Sequence, residues 1–413
     1  MKYHFHPPRH DPLVIPLINL FYFPIARLRD HVTRVSAPAE DWGRIEALRG
    51  HGAILTPNHP SLTEPVVMGW VARQLHQPLF YVATHELFSG REGWFAQRVG
   101  AFSIIRGRAD LSAARMSRHV LADLDRLLVM FPEGETHMVN NLIIPLHTGP
   151  VGFGFAALKH RARIGKSLHL PLLPVIIKYR YVGNPRPVLT RGIARLEHQL
   201  GLPAAIGLDL RDRILRAGFC VLAGVEREYG VHTLGPDGAP AAADDRIHAL
   251  NKFITERVAH TLHVRVPEEL TTPNRMRLLF NATYDYLDGL KAGRTAYERR
   301  LHSRRLTAAR ACLNDLWRLQ NFMVISADYL PHPLIAERLG ELLYRLEIEV
   351  FGGPRTVPYR EALIRTGEAV DLADYFPRYL ENPRATLRAA TLELEAGMRA
   401  VLDSMASLST PLE

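Results

Sequence analysis

Cysteine is nearly absent. Cys220 and Cys312 are the only two in 413 residues, far apart and outside any metal-ligand spacing, which excludes a disulfide framework and a zinc ribbon and suits a reducing compartment. Long apolar runs are missing too: no stretch reaches the ~18 uninterrupted residues of an ordinary spanning helix. Residues 12–28, PLVIPLINLFYFPIARL, come nearest, but Pro16 and Pro24 interrupt them. Phe21, Tyr22 and Phe23 stand beside Arg27 and Arg29, a pattern that predicts a segment lying in the headgroup region of a membrane; a buried N-terminal helix is the plainer alternative. No small-residue cleavage site follows in the manner of a signal peptide. Lysine is scarce as well, six of 51 basic residues, so the net charge of +9 rests on arginine, whose planar fork pairs with phosphate. Such charge suits an anionic membrane, a phosphorylated substrate or nucleic acid, and does not choose among them.

Several chemistries lack their residues. There is no G-x-S-x-G elbow, which disfavours a serine acyl-enzyme of the α/β-hydrolase kind. His85-Glu86 begins an H-E-x-x-H pattern, but Ser89 stands where the second histidine belongs. His260 and His263 share a helical face without a carboxylate or cysteine partner. Gly152-Phe153-Gly154 has no Lys-Ser pair after it and is no P-loop; close packing of the helix after Pro150 accounts for those glycines. No zinc finger, RNP-like motif or GXXG clamp supports a nucleic-acid partner, and neither a metal nor a cofactor is expected.

With 47% apolar residues the chain can bury a full core. Between about 50 and 180, short apolar runs alternate with longer amphipathic ones, the signature of an α/β domain. Strands are expected at 53–55, 79–82, 102–105, 128–131 and 172–177. A helix over 110–127 would set Leu111, Ala114, Val120, Leu121, Leu124 and Leu128 on one face. After 235 the stretch GPDGAPAAADD reads as a linker. Beyond it, 245–263, 296–320, 334–350 and 384–405 are arginine-rich and helically periodic, with arginine and glutamate interleaved as on solvated helix faces. The expected division is an N-terminal interfacial segment 1–38, an α/β domain 39–235 with a mixed sheet and flanking helices, and an all-helical domain 236–413.

Four short features fall at strand ends. Asn58-His59-Pro60-Ser61-Leu62-Thr63-Glu64 follows the first strand, with Thr63 placed to cap a helix and Pro65 in its first turn. Such a turn can bring the Glu64 carboxylate to the His59 ring, and an imidazole so held can take a proton from an attacking hydroxyl. The plainer reading makes His59 a loop residue and Glu64 a partner of the helix dipole. Gly100 to Gly107 is a strand ending in Arg106. Phe131-Pro132-Glu133-Gly134-Glu135 is a strand ending in a tight turn. Leu170-Pro171-Leu172-Leu173-Pro174-Val175 is a strand with prolines near its start.

In order and spacing these four features resemble the motifs of the glycerolipid acyltransferase family, whose best-known members acylate glycerol-3-phosphate and 1-acylglycerol-3-phosphate. NHPSLTE is similar to the family's NHxSxxD, with Glu64 in place of Asp. Gly100, Phe102 and Arg106 resemble its second motif, Phe131, Pro132, Glu133 and Gly134 its third, and the Pro174-Val175 step its fourth. Where the family has Thr-Arg-Ser, this chain has Glu135-Thr136-His137, so an arginine expected to meet an acceptor phosphate is missing; Arg106, Arg108 or another arginine would compensate, or the acceptor lacks that phosphate.

The resemblance covers roughly 40–185. It implies catalysis by His59 with Glu64, substrate contacts from Asn58, Arg106, Phe131, Pro132, Glu133, Gly134 and Pro174, and a thioester co-substrate on CoA or an acyl-carrier protein. The implied acceptor is a glycerolipid or lysophospholipid hydroxyl at the cytoplasmic face of a membrane. Loss of the arginine also motivates a second expectation, an inactive lipid-binding protein on the same scaffold.

Overall fold

The computed structural model describes residues 4–105, 110–234, 241–290, 293–322, 329–330 and 333–412. Among these, the strands are β1 (Val32–Ser36), β2 (Ala53–Pro57), β3 (Phe80–Thr84), β4 (Ala101–Ile104), β5 (Leu127–Val129), β6 (Pro171–Tyr181), β7 (Arg360–Thr366) and β8 (Val370–Asp371). The helices are α1 (Val14–Asp30), α2 (Ala39–Glu46), α3 (Glu64–Gln74), α4 (Gly90–Arg98), α5 (Leu111–Arg118), α6 (Gly149–Arg163), α7 (Arg186–Gln199), α8 (Leu210–Tyr229), α9 (Ala243–Leu262), α10 (Thr272–Gly289), α11 (Ala296–Phe322), α12 (Ala336–Phe351), α13 (Leu372–Glu381) and α14 (Pro383–Ser404).

Two compact units share the chain: an α/β unit of 3–182 and 359–409, and a helical unit of 183–358 and 410–413. The α/β class is as expected, but the division differs from the one drawn at 38 and 235. Residues 183–235 form α7 and α8 of the helical unit, and the chain returns to the sheet at 359. The reason lies in β7: Ala362, Ile364 and Thr366 alternate inward, and such a strand needs a sheet to pair with. Most of the linker-like stretch, 235–240, lies outside the described residues.

The sheet order is β1-β7-β6-β2-β5-β3-β4, with β8 beside β6. From β6 to β4 the neighbours run parallel, whereas β7 and β8 pair antiparallel to β6. All five residues of β2 are buried, as befits a parallel strand covered on both faces. One face packs Val67, Met68 and Val71 of α3 on Leu55, Val175 and Ile177. The other packs Val151, Phe155 and Leu158 of α6 and Leu394 and Met398 of α14 on Ile54, Leu172 and Ile176. A Cβ on Gly154 would lie 2.3 Å from Leu372 Cδ1, so close packing does explain that glycine.

Pro174 sits in a central strand, where a missing N–H is ordinarily costly. Here the antiparallel partner of β6 changes from β8 at Leu172 to β7 at Val175. The proline falls in that gap, and its carbonyl still accepts from the Gly367 N–H at 3.1 Å.

Other boundaries shift as well. β5 ends at Val129, before Phe131, and β6 runs on to Tyr181. The helix expected over 110–127 is capped by Asp110, which accepts from the Ser112 and Ala113 N–H groups. It widens over 119–123; Leu111 and Leu124 are exposed, while Ala113, Val120 and Leu121 are buried.

Helix α1 is one-sided. Tyr22 and Ala26 are buried, the Tyr22 hydroxyl donating to the Val66 carbonyl at 2.8 Å, while Leu13, Leu17, Leu20, Phe21, Phe23 and Leu28 are exposed. No described helix is long and apolar enough to cross a membrane.

In the helical unit some arginines pair with buried carboxylates. Arg246 grips Glu226 at 2.6 and 2.9 Å with both side chains buried. Half-buried Arg213 and Arg216 converge on buried Glu197 at 2.6 and 2.8 Å, and exposed Arg257 pairs with buried Asp315. The arginine-rich composition reflects these pairs as well as surface.

Candidate active site

The end of β2 is fixed before the loop begins. Asn58 is fully buried, its Oδ1 accepting from the Ile177 N–H at 2.7 Å and its Nδ2 donating to the Ile177 carbonyl at 3.1 Å. Both amide groups are thus committed to β6, and Asn58 is a brace rather than the substrate contact expected of it. The next residue, His59, leaves the sheet at the C-terminal edge of its parallel strands.

There the His59 Nδ1 lies 2.7 Å from Glu64 Oε2, with Glu64 fully buried and the imidazole 17% exposed. Glu64 opens α3, where the helix N-terminus favours its charge. Thr63 occupies the N-cap position but its side chain makes no cap; Ser61 does the local work instead. Its N–H donates to Glu64 Oε2 at 3.1 Å, its hydroxyl to Oε1 at 2.7 Å, and its Oγ accepts from the Thr63 N–H. The Tyr179 hydroxyl, arriving from β6, donates to Glu64 Oε1 at 2.7 Å. Burial pushes the Glu64 carboxyl up, but hydrogen bonds from His59, Ser61 and Tyr179 outweigh it and hold the group below the usual carboxylate value. Burial and the neighbouring carboxylate push the Tyr179 phenol far up, so it stays a donor.

With Nδ1 bonded to a carboxylate, the ring carries its proton there and leaves Nε2 as an acceptor. Phe131 stacks on the imidazole, centroids 4.3 Å apart and planes 22° apart, which leaves the ring little freedom to tilt.

Glu133 is fully buried and braces two loops. Its Oε1 accepts the His59 N–H at 2.8 Å, and its Oε2 accepts from His137 Nε2 and the Ile144 N–H, both at 2.9 Å. It therefore sets the His59 backbone and is not open to an acceptor hydroxyl. Gly134 has φ +72°, and a Cβ there would meet the His147 ring at 2.7 Å. The Gly134 N–H donates to the Phe131 carbonyl, and the Pro132 carbonyl accepts from His147. Buried Pro132 and Gly134 thus shape the turn under His59, and Pro174 lies inside the sheet.

Arg106 and Arg108 lie outside the described residues. Ser61, Tyr179 and His137 were not singled out from sequence. Ser61 stands three residues before Glu64, a capping distance, and His137 four after Glu133; Tyr179 lies too far along the chain for spacing to reveal it. A cavity of about 540 Å³ lined by His10, Arg49, His76, Gln77 and Arg126 opens at the other end of these strands and is separate from His59.

Residues 40–178, the stretch that holds the His59–Glu64 pair, match the family model Acyltransferase. That stretch is similar to acyltransferase domains. It takes up less than half of the chain. A 1-acyl-sn-glycerol-3-phosphate acyltransferase of Streptococcus pneumoniae (strain ATCC BAA-255 / R6) is 35% identical over 85 residues, which is 20% of this chain and 31% of that relative. The chain thus matches under a third of the relative's length. The helical unit and the return strand β7 fall beyond the acyltransferase match.

Proposed function

We propose that the protein transfers a fatty acyl group from a thioester, carried by CoA or an acyl-carrier protein, to a hydroxyl of a glycerolipid or lysophospholipid. The observation that carries this reading is the 2.7 Å contact between His59 and buried Glu64 inside the acyltransferase match. His59 Nε2 takes the acceptor hydroxyl proton while Glu64 stabilises the imidazolium, and the oxygen attacks the thioester carbonyl. The tetrahedral intermediate collapses with cleavage of the C–S bond, and the imidazolium returns the proton to the departing thiolate. No protein nucleophile and no cofactor enters this sequence.

The developing oxyanion needs donors. The N–H groups of Gly134, Ser61 and Thr63 are already engaged, so they fill that role only if the loop rearranges on binding substrate. The exposed apolar side chains of α1, with Arg27 and Arg29 in its last turn, support seating at the cytoplasmic face of a membrane, where lipid acceptors reside.

The test is free-thiol release from long-chain acyl-CoA and acyl-carrier protein against a panel of lysolipid and monoacylglycerol acceptors. Release that requires an acceptor supports the reading, and the best acceptor answers whether a phosphate is recognised. If both donors stay intact with every acceptor while the folded protein binds lipid vesicles, an inactive lipid-binding scaffold replaces it.

A further inference from the structure

The acyltransferase match ends at residue 178, yet one charged side chain from far beyond it reaches the network behind His59. Arg360 opens β7, opposite Tyr181 of β6. Its Nη2 donates to Thr63 Oγ1 at 2.6 Å, and its Cζ lies 4.2 Å from the centroid of the Tyr179 ring. Thr63 directly precedes Glu64, and Tyr179 donates to Glu64 Oε1. A single guanidinium thus holds both covalent and hydrogen-bonded neighbours of the carboxylate that orients His59.

Arg360 is half-buried, and among the described residues no carboxylate forms an ion pair with it and its buried Nε has no hydrogen-bond partner. Asp30 feels its field without touching it, and the adjacent Glu361 is taken by Arg180. An arginine serving only to steady the sheet would be expected to complete an ion pair, as Arg180 does. Lysine could supply the charge at Thr63 but not the planar stack on Tyr179.

We propose that Arg360 is a positioning residue for the reaction. By fixing Thr63 and the Tyr179 ring, it keeps the phenol on Glu64 Oε1 and so leaves Oε2 to His59 Nδ1 and the Ser61 N–H. The insertion of β7 into the sheet therefore completes the catalytic geometry from a part of the chain that the acyltransferase motifs do not include. This inference rests on the proposed acyl transfer for its kinetic consequence, but the geometry it asserts can be read without turnover.

The experiment compares wild type with Arg360→Gln, Arg360→Lys and Tyr179→Phe in the full chain. Two readouts are taken: acceptor-dependent thiol release, and the low-field NMR resonance of the His59 Nδ1–H, assigned by its loss in Glu64→Gln. The expectation is that Arg360→Gln lowers kcat about tenfold with KM nearly unchanged for phosphate-bearing and neutral acceptors alike. It should also broaden or shift the resonance upfield. Arg360→Lys should recover only part of each effect, and Arg360→Gln combined with Tyr179→Phe should cost less than the product of the two single losses.

Unchanged kcat and an unchanged resonance in folded Arg360→Gln would overturn the proposal. So would a rise in KM confined to phosphate-bearing acceptors, which would make Arg360 a headgroup contact. If Arg360→Gln does not fold, Thr63→Val and Tyr179→Phe carry the same comparison from the other side of each contact. Should wild type release no thiol while the resonance responds to Arg360→Gln, the transfer reading falls and the positioning role stands.

Discussion

Glu64 of the α/β unit and Glu347 of the helical unit are both fully buried carboxylates, and they are used differently. Glu347 accepts from the Arg355 N–H at 2.6 Å and the Thr356 N–H at 2.8 Å, and from the Thr356 hydroxyl at 2.5 Å. These donors keep their protons at any ordinary pH, so the carboxylate closes a loop and nothing more. Glu64 also accepts from hydroxyls and a backbone N–H, but one further partner is an imidazole that is itself 17% exposed. Burial alone does not make a carboxylate catalytic. What sets Glu64 apart is its partly exposed imidazole partner.

That contrast can be broken in four ways. The largest effect is expected from Glu64→Gln, which keeps the volume but loses the negative charge beside the imidazolium; thiol release should fall about a hundredfold with fold retained by circular dichroism. Glu347→Ala should do the reverse. Its loss leaves two buried donors and one half-buried N–H unpaired and should cost about 2–4 kcal/mol in denaturant unfolding, with turnover per folded molecule unchanged; a large loss of specific activity would contradict the division of roles. Gly154→Ala, which forces a Cβ against Leu372 under β2, should destabilise by about 1–3 kcal/mol and lower activity only through the folded fraction.

The smallest effect is a pH dependence. Because Glu64 is held below the usual carboxylate value, the unfolded chain binds its proton more readily. Its contribution to stability is therefore present above the unfolded value of about 4.3 and lost as pH falls through the lower folded one. The difference in Tm between wild type and Glu64→Gln should narrow below about pH 4. A difference that stays constant across that range would place the stabilisation elsewhere.

Much of the α/β core was legible because parallel strands buried on both faces read as short continuous apolar runs; 53–55, 79–82 and 102–105 all fall within two residues of observed strands. The His59–Glu64 contact was legible too, since five residues and a helix start suffice to bring the groups together. Residues 360–366 alternate as a strand should, yet they follow a helical stretch of more than a hundred residues, and local pattern cannot tell that a chain returns to an earlier sheet. Tyr179 and Arg360 share that blindness: each meets Glu64 or Thr63 only through strand register. Asn58 was legible as a site residue but not as a brace, because its role depends on which backbone groups the fold sets around it. The buried Arg246–Glu226 pair of the helical unit was missed for the opposite reason, an interleaved charge pattern being the same for an exposed face and an internal pair.

In the proposed reaction His59 is the base for attack of an acceptor hydroxyl on a thioester. The direct test is acceptor-dependent thiol release by His59→Ala beside wild type, with equal folded protein and saturating acyl thioester. A loss of about a thousandfold or more, within the range general-base removal produces, is the expected result. Turnover by folded His59→Ala within a few fold of wild type would contradict it and move the chemistry to another residue.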